Sequence, residues 1–144
     1  MTNAPPETPN HRAIAFFQHL PHANSLGMSI EHMADGNAVL SMPWQDALVG
    51  DPETGVIHGG AVSALMDTCC GAAAMSHPGA TGGTATLGLR IDYMRAATPG
   101  QTIRAEATCY HITRSVAFVR AVALDDDRDR PVATATGTFT VEGG

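Results

Sequence analysis

Lysine is missing altogether: all eight basic residues of this 144-residue chain are Arg. Arg suits bidentate phosphate binding, but a compositional bias explains the usage equally well. No basic run occurs and the formal net charge is −6, which argues against a nucleic-acid partner. Charged residues make up only 15% and aromatics 5%. A small Ala- and Gly-rich domain with so little charge can hide part of its surface in an oligomer. Long apolar runs are lacking too. The longest uncharged stretch, 54–89 apart from Asp67, is broken by Gly, Pro and His. It therefore falls short of the roughly 20 apolar residues of a membrane helix. Residues 1–9 have neither a basic region nor an apolar core, so a signal peptide is not expected. The three cysteines, Cys69, Cys70 and Cys109, are odd in number and include an adjacent pair. That pattern suits a reducing compartment better than a disulfide framework, and a cytoplasmic location is the expectation.

What is present reads as one α+β domain over 11–144 behind a flexible tail over 1–10. Ile14, Phe16, Phe17 and Leu20 mark one face of a short helix that Pro21 should end. Two partly alternating runs, 26–33 and 37–42, flank Asp35-Gly36 and predict a β-hairpin. From Pro43 to Ile57 no period emerges, and a loop is expected. The segment 60–76 lacks Pro and is rich in Ala, Leu and Met, which predicts a helix buried nearly all round. Four strand-like runs follow, over 84–94, 102–113, 116–124 and 132–141. Their short links predict an antiparallel meander curled around the one long helix.

Between Glu53 and Arg90 the only Asp, Glu, Lys or Arg is Asp67, in the middle of that apolar helix. A carboxylate buried without a partner costs several kcal/mol. Asp67 therefore either caps a neighbouring group or does chemistry, since unusual carboxylates cluster at active sites. Just upstream lies His58-Gly59-Gly60. Two glycines at a helix N-terminus leave amide N–H groups open to a carbonyl oxygen that gains negative charge, although a Gly pair alone also suits an ordinary turn. Asp67 follows Gly59 by eight residues, about 12 Å along a helix axis. One chain therefore need not bring the two together.

The run from His58-Gly59-Gly60 to Asp67 closely resembles the HGG-x(6)-D signature of hotdog-fold thioesterases, with the phenylacetic-acid-degradation branch nearest. Leu87 to Ala97, with Tyr93-Met94 inside it, resembles the strand that follows the family helix. The likeness spans about Leu26 to Val141 and implies the hotdog fold, an antiparallel sheet wrapped around one central helix. It implies an acyl-CoA thioesterase in which Asp67 attacks the thioester or activates water and the Gly59 N–H polarises the carbonyl. It further implies that His58 shapes the site, and that Thr86 holds the water or the other subunit's carboxylate. The site would form between two subunits, in a homodimer at minimum, with a homotetramer the commoner family state. Where many relatives carry Asn or Gln this chain has Pro52, so Asp51 or Glu53 would have to stand in.

A thioester is already activated, so no metal or cofactor is expected; coenzyme A is part of the substrate. Arg90, Arg95 and Arg114 are the candidates for its phosphates, against a plain reading as solvated surface residues. Cys69 and Cys70 read as buried structural thiols. The histidines at 11, 19, 22 and 32 show no ligand spacing, and Asp125–Arg130 reads as a solvated loop. Pocket shape would come from Phe16, Leu26, Met28, Trp44 and Met66. The competing reading is an acyl-CoA-binding module that does not cleave its ligand.

Overall fold

The structure, a computed structural model, describes residues 9–80 and 82–142, with backbone only for Pro9, Asn10 and Arg12. Helices α1 (Pro9–Gln18) and α2 (Pro21–Ser25) come first, followed by strands β1 (Ser29–Ala34) and β2 (Asn37–Met42). Two short strands, β3 (Val49–Asp51) and β4 (Val56–Ile57), then lead into the long helix α3 (Gly59–Ser76). Strands β5 (Thr84–Tyr93), β6 (Ile103–Ile112), β7 (Val116–Leu124) and β8 (Ala133–Val141) complete the chain. Of the expected tail, residues 1–8 lie outside the described residues, and Pro9 and Asn10 already belong to α1. Pro21 does more than end the first helix. It opens α2, where its fixed φ and missing N–H suit the first helical position.

The main sheet is antiparallel, with order β1-β2-β6-β7-β8-β5. The β1–β2 hairpin turns on Asp35 (φ 53°) and Gly36 (φ 82°), both left-handed as a type I′ turn requires. The Gly36 N–H donates to Ser76 Oγ at 3.0 Å, which ties this turn to the end of α3. The sheet wraps α3 at short range because both surfaces are small. Ala72, Ala73 and Ala74 on the helix meet a sheet that buries Ala105, Ala107, Ala117 and Ala123. Leu40, Met42, Leu65, Met66, Ile103 and Phe139 fill the remaining core.

Two expectations need correction. The stretch 43–57 is not merely a loop, because β3 and β4 pair within it. The Gly55 N–H bonds to Asp51 O at 2.8 Å, with Gly55 at φ 79°, and this tight turn has no periodic sequence signal. The simple meander also fails. Of the four long strands, β6, β7 and β8 follow one another, while β5 lies at the far edge beside β8. The link over 94–102 is longer than the roughly two to five residues of a hairpin loop. It can therefore carry the chain across the end of the sheet.

Candidate active site

Asp67 is half-buried in the third turn of α3, and its Oδ1 accepts a 2.7 Å hydrogen bond from Thr86 Oγ1 on β5. The carboxylate thus has one oxygen engaged by a hydroxyl, and the pair lines a cleft of about 190 Å³. Phe16, Phe17, Leu20, Thr68, Thr84 and Phe139 are among the residues of its wall. Thr84 Oγ1 in this cleft is buried without a hydrogen-bond partner. Thr86 was expected to hold water or a carboxylate from another subunit; here it holds the carboxylate of its own chain.

A β-bulge at Leu87 makes that contact compatible with the rest of β5. Thr86 pairs with Phe139 and Gly88 with Thr138, so Leu87 has no partner on β8. An extra residue reverses the alternation of faces. As a result Thr86 and Tyr93, an odd number of positions apart, both reach α3. Tyr93 Oη donates to Gly59 O at 2.9 Å and is also hydrogen-bonded to Ser63 Oγ.

Gly59 is the first residue of α3, capped by His58, whose Nδ1 accepts the Gly60 N–H at 2.8 Å. His58 is itself anchored by its N–H to Leu48 O at 2.8 Å. The Gly60 amide is thereby occupied, whereas the Gly59 N–H has no acceptor among the described residues. Gly59 and Tyr93 line a separate, largely apolar cleft of about 290 Å³ with Val56, Ile57, Val62 and Met94. His58 faces a third cleft, of about 320 Å³, beside His22 and Leu26. One chain therefore unites Asp67 with Thr86, and Gly59 with Tyr93, but leaves the two pairs in different clefts.

The arginines divide. Arg90 is exposed and pairs loosely with Asp92 at 3.3 Å; Arg114 is exposed in the β6–β7 turn. Arg95 cannot serve as a phosphate-binding hand. Its guanidinium bonds Asp125 through both oxygens at 2.6 and 2.7 Å, and donates as well to Ala96 O and Arg130 O. Asp125 is only 4% exposed, so the expected solvated loop hides a buried anchor at its first residue. The Arg95 guanidinium, helped by the Thr98 and Asp127 amides, holds the Asp125 carboxyl well below the usual carboxylate range.

Asp51 is exposed and turned into its own loop, accepting from Glu53 N at 3.0 Å and Thr54 Oγ1 at 2.8 Å. Pro52 and Glu53 are exposed as well. Cys69 and Cys70 are fully buried. Burial, then the Asp67 charge, pushes the Cys70 thiol up to about 12, which leaves it protonated and unreactive. Among the described residues no group of three or more His, Cys, Asp or Glu could hold a metal ion. Of the expected pocket residues, Phe16 lines the Asp67 cleft, Leu26 the His58 cleft and Met28 a neighbouring cavity. Met66 is wholly buried, and Trp44 Nε1 donates to Gly55 O at 2.8 Å, bracing the β3–β4 turn.

Residues 54–132 match the sequence model of the thioesterase superfamily. A Halobacterium salinarum protein carrying a provisional esterase name is 32% identical over 123 residues, 81% of each chain. A Pseudomonas aeruginosa crystal structure superposes with a TM-score of 0.81 at 38% identity, covering 92% of this chain and 98% of that one. A mutant of the phenylacetic acid degradation protein PaaI from Thermus thermophilus gives 0.74 at 28% identity, covering 85% and 99%. With an antiparallel sheet wrapped around one helix and a family match across more than half its length, this chain belongs to the thioesterase superfamily and has the hotdog fold.

Proposed function

We propose that this protein hydrolyses an acyl- or aryl-acyl-CoA thioester to the free acid and CoA. The observation that carries the reading is the Asp67–Thr86 pair, a half-buried carboxylate in a cleft walled by Phe16, Phe17, Leu20 and Phe139 together with three threonines. Asp67 acts either by taking a proton from water, which then adds to the thioester carbon, or by adding to that carbon itself. In the second case water cleaves the resulting anhydride. On either route the C–S bond breaks, the sulfur leaves as thiolate, and it takes up a proton in solution. The Gly59 N–H, at the positive end of α3 and without an acceptor among the described residues, receives the developing oxyanion.

The reading requires two copies of the chain. In support, among the described residues β5 pairs only with β8, so its other edge offers backbone groups that none of them pairs along ten residues, with Leu87 59% exposed beside it. Antiparallel pairing of two such edges about a twofold axis near Leu89 and Arg90 would set Thr86 of one copy opposite Tyr93 of the other. Each Asp67 would then approach a Gly59 amide from the second copy, giving two equal sites. Arg90 and Arg114, both exposed, remain candidates for the CoA phosphates.

The test is thiol release from a panel of short, medium, long and aryl acyl-CoAs. Asp67→Asn should lower turnover by at least about 100-fold with the fold intact. Full activity in that variant would remove Asp67 from the mechanism. A second reading, binding without cleavage, draws on Pro52 and on an Asp51 committed to its own loop, neither of which can position water. Tight binding of a CoA ester with no hydrolysis over hours would favour it.

A further inference from the structure

Two cavities meet at Phe17. One is the Asp67 cleft, about 190 Å³, backed by Leu20 and Phe139. The other, about 280 Å³, has buried Ala23, Met28 and Leu40 in its floor and exposed Gln18, Asn24 and Ser29 at its mouth. Phe17 lines both, and so does Thr68, the residue that follows Asp67 on α3. The second cavity therefore begins one residue from the carboxylate. Phe17 is only 6% exposed, and the tip of its ring faces Gly71 with room between them for a methyl group, since a Cβ there would lie 3.7 Å from Cζ. Phe16 packs edge-on against it, with ring centroids 5.4 Å apart. Phe17 thus belongs to the walls of both spaces, braced by Phe16 and facing a position where α3 has no side chain.

We propose that Phe17 sets the length of acyl group that this protein accepts. The inference rests on the thioester reading of Asp67. With the ring in place, an acyl carbon held at Asp67 has only the smaller cleft for its tail, which suits a short or compact group. Without the ring the tail runs past Thr68 into the second cavity, along Met28, Ile30 and Leu40, and out through a mouth open to water. Gly71 is the other half of the device. A methyl group there would meet Phe17 Cζ at 3.7 Å and Thr84 Cγ2 at 3.8 Å, ordinary contacts that it can adopt without displacing either. Gly71→Ala therefore narrows the cleft, whereas Phe17→Ala opens it.

The experiment compares kcat/KM along straight-chain acyl-CoAs, from acetyl to palmitoyl, for wild type, Phe17→Ala, Phe17→Leu and Gly71→Ala. The long-to-short ratio should rise at least about tenfold in Phe17→Ala, rise less in Phe17→Leu and fall in Gly71→Ala. Phe17→Leu is the variant to rely on if Phe17→Ala does not fold. An unchanged ratio in a folded, active Phe17→Leu overturns the inference. If the wild type cleaves no chain length, the thioesterase reading fails by itself, and calorimetry with non-cleavable thioether analogues of the same lengths still reads the effect of the ring. Tighter binding of the long analogues relative to the short ones in Phe17→Leu supports it; an unaltered ratio of affinities overturns it.

Discussion

A 2.7 Å hydrogen bond from Thr86 decides how Asp67 points. Hydrogen bonds to charged groups contribute more than neutral ones, so losing this one should be visible in the rate. Thr86→Val is expected to lower kcat about tenfold with KM little changed, and Thr86→Ser to restore most of it. Equal kcat in wild type and Thr86→Val would show that the carboxylate is oriented by something else. Arg95 and Asp125 show the opposite use of charge, as structure. The Asp125 carboxyl is held below its ordinary value, so the pair stabilises the fold at any pH above the unfolded carboxylate's range and weakens as acid protonates it. Asp125→Asn should therefore cost about 3 kcal/mol at pH 7, and the gap to wild type should close as the pH falls below about 4. Urea midpoints at pH 7 and pH 3 check this; a gap of the same size at both would refute the assignment. From sequence, Arg95 looked like a phosphate ligand and Asp125 like one of several solvated acids. Their contact joins residues 30 positions apart, and no local pattern encodes it.

Helix α3 was legible almost to the residue, since its start at His58-Gly59-Gly60 and its stop before Pro78 are both written in local chemistry. The role of His58 as a cap was not. Its Nδ1 accepts the Gly60 N–H, so His58→Ala should cost about 1 kcal/mol in thermal or denaturant unfolding. No change in stability would mean that water caps the helix equally well. The four long strands were also readable from their alternation, but the bulge at Leu87 was not. It depends on which β8 residue lies opposite, and that is settled by pairing. Without it, Thr86 and Tyr93 would face opposite sides of the sheet, and Asp67 and Gly59 could not both rest on β5.

For the whole molecule, the decisive question is whether Gly59 and Asp67 act in one chain or across two. Gly59→Pro removes the amide hydrogen, and the ring it adds would bring a Cβ into ordinary contact with Tyr93 at 3.6 Å. Proline suits the first helical position, and His58 at φ −57° and ψ 134° is already in the conformation that a following proline prefers. Gly59→Pro and Asp67→Asn should each be nearly inactive. Mixed in equal amounts and allowed to exchange subunits, they should recover about a quarter of wild-type activity, because half the dimers would carry one intact composite site. Mixed dimers without activity would confine the chemistry to a single chain.

The sequence by itself determined the α+β class, the long buried helix, the hairpin at Asp35-Gly36 and the one carboxylate in an uncharged helix. Each of these rests on local periodicity, turn chemistry or the cost of burying charge, and those act within a few residues of the chain. Tertiary structure alone decided that β5 leaves the meander for the sheet edge, that Thr86 meets the Asp67 of its own chain, that Arg95 is spent on Asp125, and that Phe17 lines two cavities. Those contacts join residues far apart in the sequence, and only the closing of the sheet around α3 brings them within reach.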